Sequence, residues 1–133
     1  MSQHCSVDWL AAVVQYDRIG TFNISQRMTM SKFENVSVIK AANIYFDGKV
    51  TSRAVEFSNG EVKTLGIMLP GEYRFSTAKK EIMDIQSGTV EILSAGETDW
   101  RTVSAGESFE VGADSAFDIK VLSVTDYCCS YIS

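Results

Sequence analysis

A chain of 133 residues, 45% hydrophobic and 22% charged, has room for one domain with a real core and none for a second full domain. Seventeen acids against twelve bases leave a net charge of -5, the wrong sign for gripping nucleic acid; with no run of about 18 apolar residues and no secretory-type leader, a cytoplasmic protein free of the membrane is expected. The cysteines Cys5, Cys128 and Cys129 and the single histidine, His4, exclude a disulfide framework, a His-based triad and a poly-His metal centre built from one chain.

In chain order, residues 1–42 read as an N-terminal extension and lead-in. Asp8 is placed to cap a short amphipathic segment through Trp9, Leu10, Val13, Val14 and Tyr16, which Gly20 and the β-branched residues after it do not sustain. Met28 and Met30 are internal, and residues 30–42 have the texture of a strand lead-in. Residues 1–29 are therefore expected to be a non-essential extension from an upstream start codon.

From residue 43 turn dipeptides punctuate the chain: Asp47-Gly48, Asn59-Gly60, Pro70-Gly71, Ser87-Gly88, Ala95-Gly96 and Ala105-Gly106. Short strands of period two lie between them. Val62, Leu65, Ile67 and Leu69 precede Pro70-Gly71. Tyr73, Phe75 and Thr77 then share one face, with Glu72, Arg74 and Ser76 on the other. Val90 and Ile92 alternate, as do Phe109 and Val111, and Phe117, Ile119 and Val121 against Asp118 and Lys120. Asn59-Gly60 between Phe57 and Val62 predicts a hairpin closed by a type I′ turn with both central residues at positive φ. Residues 43–133 are thus expected to form an all-β sandwich or small barrel.

Two segments carry the spacing of the paired cupin motifs. The first runs from Pro70-Gly71-Glu72-Tyr73-Arg74-Phe75-Ser76-Thr77 to Glu81 and Gly88, the second from Gly106 through Gly112 and Asp114 to Phe117. Phe75 and Thr77 stand where a metal cupin has paired histidines, Glu81 keeps the glutamate, and Phe117 takes the last ligand position. A transition metal needs about three protein ligands, so no metal is expected and a metal-dependent dioxygenase or isomerase is disfavoured.

The wider pattern resembles the small pyrimidine/purine nucleoside phosphorylase family. It comprises Tyr45-Phe46-Asp47-Gly48-Lys49-Val50, Gly71-Glu72-Tyr73-Arg74-Phe75-Ser76-Thr77, Glu81, Met83, Gly88, Asp99-Trp100, Ala105-Gly106, Phe109, Tyr127-Cys128 and Tyr131. Gly112-Ala113 departs from the usual Pro-Gly of the second motif. The resemblance covers residues 43–133 and implies a cytosolic, cupin-type barrel (a double-stranded β-helix or jelly roll) working as a homodimer. It also implies phosphorolysis of many purine and pyrimidine ribonucleosides to free base and α-D-ribose 1-phosphate, with inorganic phosphate as co-substrate and no cofactor.

The chemistry then suggests roles. Tyr73, Phe75 and Phe117 offer ring faces on which any base can stack; the competing reading makes them barrel core. Glu81 would hold the ribose hydroxyls or protonate the leaving base, against an internal hydrogen bond or a salt bridge to Arg74, Lys79 or Lys80. Thr77 would contact phosphate or sugar, or is an ordinary strand threonine. Arg74 is the cation nearest the motif for phosphate, although alternation puts it opposite Phe75. The alternative function is a non-catalytic, metal-free cupin that binds a sugar or nucleoside.

Overall fold

The computed structural model describes residues 32–133; the Asp8 segment, His4, Cys5 and the proposed extension at residues 1–29 lie outside the described residues. Residues Asn35–Ser133 form one compact unit. Its strands are β1 (Ser37–Val38), β2 (Asn43–Tyr45), β3 (Val50–Glu56), β4 (Val62–Met68), β5 (Gly71–Ser76), β6 (Lys80–Ser87), β7 (Thr89–Ser94), β8 (Arg101–Ser104), β9 (Ser108–Val111), β10 (Ala116–Val121) and β11 (Thr125–Ile132). The larger sheet runs β1-β3-β4-β11-β6-β9, with β2 also on β3, and the smaller runs β5-β10-β7-β8. Neighbours pair antiparallel, giving the all-β, two-sheet architecture expected from the turn spacing.

The turn dipeptides do two different jobs. Asn59-Gly60 and Ala95-Gly96 close hairpins within a sheet, β3 to β4 and β7 to β8. Pro70-Gly71, Ser87-Gly88 and Ala105-Gly106 instead carry the chain from one sheet to the other. At the second of these crossings Gly88 adopts φ +93, and a Cβ there would fall 2.6 Å from the Val124 carbonyl, so glycine alone satisfies both backbone and space. Tyr73 braces the first crossing: its hydroxyl donates to the Leu69 carbonyl at 2.6 Å.

The β3–β4 hairpin forms where Asn59-Gly60 predicts it, but the turn type differs. Gly60 has φ +92, whereas Asn59 is not among the positive-φ residues. Phe57 N–H donates to the Glu61 carbonyl at 2.9 Å and Gly60 N–H to the Phe57 carbonyl at 3.0 Å. The longer loop is held by the Asn59 side chain, whose Oδ1 accepts from Glu61 N–H at 2.9 Å and whose Nδ2 donates to Glu61 Oε1 at 2.7 Å. An Asx turn replaces the type I′ turn because the asparagine side chain satisfies the backbone without Asn59 itself becoming left-handed, leaving positive φ to Gly60 alone.

Between the sheets lies a core that includes Val50, Met68, Met83, Ile85, Val90, Ile92, Phe109, Phe117, Ile119 and Val121, each buried side chain contributing about 1.5–3 kcal/mol of transfer free energy. Strand β4 is unusual. Its inward residues are Thr64, Gly66 and Met68, while Leu65 and Ile67 face out, each more than a third exposed.

Candidate active site

At one place the core opens into a cavity of about 140 Å³. Strands of both sheets wall it. Phe75 from β5 and Phe117 from β10, cross-strand partners in the smaller sheet, stack with centroids 5.7 Å apart and planes at 26°. Tyr45, from β2, meets Phe75 edge-on at 6.1 Å, and Phe46 in the following turn does so at 5.4 Å. Phe109 supports Phe117 from behind at 5.6 Å. Edge-to-face and offset stacks are the favoured geometries of aromatic pairs, so Phe75 presents a braced ring rather than a loose one.

The facing wall is polar and comes from the larger sheet. Strand β11 turns Tyr127, Cys129 and Tyr131 inward, its neighbour β6 supplies Glu81 and Met83, and β4 and β3 supply Thr64 and Ser52. Glu81 lies directly opposite Tyr131, and Cys129 lies between Met83 and Thr64. The Cys129 thiol donates to Glu81 Oε1 at 3.5 Å, and the Thr64 and Tyr131 hydroxyls are bonded at 3.3 Å. Tyr127 donates to the Thr51 carbonyl at 3.4 Å. Its ring covers Gly66, where a Cβ would lie 2.7 Å from the phenol.

Burial dominates the electrostatics of this wall. Desolvation raises the Glu81 carboxyl above its ordinary value, and the thiol hydrogen bond opposes it only in part. Burial also pushes the Cys129 thiol up to about 12, with the Glu81 charge adding to the effect, so the thiol stays protonated at neutral pH. The Tyr127 and Tyr131 phenols are raised as well, chiefly by burial. Among the described residues, no Lys, Arg or His lines the cavity.

The residues singled out from the sequence separate into two groups. Phe75, Phe117 and Glu81 line the cavity. Phe117 is also core at 2% exposure, so the stacking and core readings both describe it. Tyr73 does not line the cavity: it is buried beside Phe46, 4.9 Å between centroids, with its hydroxyl engaged at Leu69. Thr77 does not line it either. Its Oγ1 donates to the Gly112 carbonyl at 2.7 Å and accepts from Ser115 N–H at 3.0 Å, clipping the end of β5 to the β9–β10 loop, so the hydroxyl's one proton is already used. Arg74 points to the outer side of the smaller sheet and pairs with Asp118 at 2.9 Å. Of the two structural alternatives for Glu81, no ion pair is formed among the described residues, where Arg74 pairs with Asp118 and Lys80 with Glu110 at 3.0 Å, but the internal hydrogen bond is present, from the Cys129 thiol.

Tyr45, Ser52, Thr64, Ser76, Tyr127, Cys129 and Tyr131 entered no sequence-based site. Period two from Tyr127 to Tyr131 was the available signal: it puts Cys129, rather than the neighbouring Cys128, on the inner face. An aromatic wall facing a hydroxyl-lined wall with one carboxyl group suits the cavity to a polyhydroxylated ligand carrying a flat ring.

The family model for pyrimidine/purine nucleoside phosphorylase matches residues 40–131. A protein of that name from Hydrogenovibrio crunogenus is 60% identical over 103 residues, which is 77% of this chain and 99% of the relative. One from Colwellia psychrerythraea is 56% identical over 104 residues, 78% of this chain and all of the relative. Among solved structures, a protein of unknown function from an Acinetobacter species superposes with TM-score 0.74 at 39% identity, covering 76% of this chain and 98% of that one. An RmlC-like cupin from Shewanella frigidimarina superposes with TM-score 0.56 at 12% identity over 77% of this chain and 88% of its own length, a likeness of fold alone, and it places the two-sheet barrel in the cupin class. With a family-model match over residues 40–131 and relatives 60% and 56% identical over nearly their whole length, the chain belongs to the pyrimidine/purine nucleoside phosphorylase family.

Proposed function

We propose that this protein cleaves purine and pyrimidine ribonucleosides with inorganic phosphate, releasing the free base and α-D-ribose 1-phosphate, and that it tolerates many bases. The observation that carries the reading is the cavity itself, an aromatic wall at Phe75 and Phe117 facing a hydroxyl-lined wall at Glu81 and Tyr131. Stacking on Phe75 grips a base through its π-face, which every base has, and so discriminates little between them. The ribose then faces the polar wall.

In the reaction a phosphate oxygen bonds to C1′ as the C1′–N bond breaks, and the bonding pair leaves on the base nitrogen. The transition state carries oxocarbenium character at the sugar. Glu81 is suited to two tasks there: accepting hydrogen bonds from the ribose hydroxyls when ionised, and donating to the departing base when protonated, which its raised carboxyl favours. Ser52, Thr64 and Tyr131 supply neutral hydroxyls for phosphate and sugar. The donor set supports a metal-independent reaction, because the cavity's ionisable metal-binding groups are one carboxylate and one protonated thiol.

The same reading includes a homodimer in the cytoplasm. Leu65 and Ile67 on β4 and Ile132 on β11, exposed on the outer side of the larger sheet, support the former, and the free thiols Cys128 and Cys129 suit a reducing compartment. Incubating EDTA-treated protein with inosine or uridine, with and without phosphate, tests the function. Phosphate-dependent release of hypoxanthine and uracil, with ribose 1-phosphate seen by phosphorus NMR, is expected. Binding of nucleoside without any release of base refutes catalysis and leaves the binding cupin.

A further inference from the structure

We infer that Cys129 is a positioning residue for Glu81: the thiol, inserted between β4 and β6, holds Oε1 and leaves Oε2 turned to the substrate. The inference rests on the proposed role of Glu81. Its basis is the register of three strands. Cys129 on β11 is paired with Thr64 on one side and Met83 on the other, and Glu81 stands one inward position beyond Met83 on β6. Sγ therefore reaches Glu81 diagonally, at 3.5 Å, with only 3% of the residue exposed. Tyr131, directly opposite Glu81, is bonded to Thr64, the residue paired with Cys129.

Among the described residues Oε1 has this thiol as its partner, and no hydrogen bond reaches Oε2. A carboxylate with one tethered oxygen keeps a single rotamer and offers the second oxygen to ligand, which reduces the ordering cost of reaction. A thiol is also a weak donor. It orients the carboxyl without strongly favouring the ionised form, so Glu81 retains most of the effect of its burial. The ionisable groups facing Glu81 are Cys129, Tyr127 and Tyr131 on β11 and Tyr45 on β2. From β9 its partner is Val111, while Lys80 and Glu110 pair with each other.

The test compares kcat, KM and the pH profile of inosine phosphorolysis in Cys129→Ala, Cys129→Val, Cys129→Ser, Glu81→Gln and Cys128→Ala, each checked for folding by circular dichroism. Loss of the donor in the Ala and Val variants is expected to lower kcat about tenfold to a hundredfold with KM changed less. The limb of the profile carried by Glu81 should move to higher pH, because the hydrogen bond that favours the carboxylate has gone. Serine keeps an O–H donor and should restore most of the rate. Cys128, on the opposite face of β11, should be silent when changed to Ala. If either the Ala or the Val variant folds and keeps both rate and pH limb while Glu81→Gln is impaired, the role of Cys129 is overturned and that of Glu81 stands. A serine variant as slow as alanine overturns it too, since volume and not the donor then matters. Wild-type kinetics in Glu81→Gln overturn the underlying reading of Glu81 itself.

Discussion

Replacing Phe75 by leucine separates base stacking from core packing. Phe117 serves poorly for this purpose: truncating a ring that is 2% exposed costs about 3–5 kcal/mol, a large part of the 5–15 kcal/mol that typically holds a domain together, so lost affinity and lost folding become entangled. Phe75 is only partly buried against the core. Leucine keeps much of its apolar volume and removes the π-face. The native cost is the loss of ring contacts to Tyr45, Phe46 and Phe117, about 0.5–1.5 kcal/mol each beyond burial and partly recovered by leucine contacts. A total of about 1–3 kcal/mol, at about 4–8 °C per kcal/mol for a domain of this size, leaves the protein folded at 25 °C. If a base stacks on this ring, about 1–3 kcal/mol of binding is lost, which weakens nucleoside binding about fivefold to 150-fold. Calorimetric titration of inosine and uridine into Phe75→Leu measures this directly. The loss should be comparable for both ligands, because stacking is indifferent to the hydrogen-bonding edge. A folded variant that binds both nucleosides normally, or weakens for one alone, refutes base stacking on Phe75.

Three further outcomes follow from the geometry. Glu81→Gln should cut phosphorolysis by about a hundredfold or more without loss of stability at neutral pH: burial raises the native carboxyl, so its favourable contribution is present below the unfolded carboxyl pKa and is lost as pH rises through the native value. The melting temperature of the Gln variant relative to the parent should therefore be higher at pH 7 than at pH 4, and a difference independent of pH contradicts the burial effect. Thr77→Val strands the Gly112 carbonyl and Ser115 N–H, so melting should show a loss of about 1–3 kcal/mol while kcat and KM of the folded protein hold; a selective rise in KM for phosphate instead restores Thr77 to the site. Gly66→Ala puts a methyl against the Thr51 carbonyl and the Tyr127 ring, overpacking that costs about 1–3 kcal/mol or more and, by displacing Tyr127 from the cavity wall, should lower activity along with the melting temperature.

Much of this architecture was legible in the residue pattern, and the parts that were not share a cause. Period two placed Phe75 and Phe117 on inward faces, and the cupin-like spacing brought Glu81 toward the same interior. The turn dipeptides marked where strands end, because Gly, Asn and Pro act on the local backbone. They did not distinguish Asn59-Gly60, a hairpin, from Pro70-Gly71, a crossing between sheets. That choice depends on which strand is available to pair, a matter of contacts far apart in the chain. Thr77 and Tyr73 had the same inward alternation as Phe75, yet their hydroxyls are taken by Gly112, Ser115 and Leu69, partners that only the assembled turns deliver.

Strand β4 marks the boundary between the two kinds of information. Its more apolar residues, Leu65 and Ile67, face outward, and Thr64 and Gly66 face the interior, because the register with β11 sets Thr64 beside Cys129 and puts Gly66 under the Tyr127 ring. Composition and periodicity by themselves determined an acidic, all-β domain with aromatic residues turned inward, since these follow from local backbone geometry and side-chain alternation, and the likeness to the cupin motifs added one inward glutamate. Only the tertiary structure decided that β11 lies between β4 and β6, and therefore that Cys129, Tyr131 and Thr64 surround Glu81, because strand order is set by long-range pairing that no local pattern encodes.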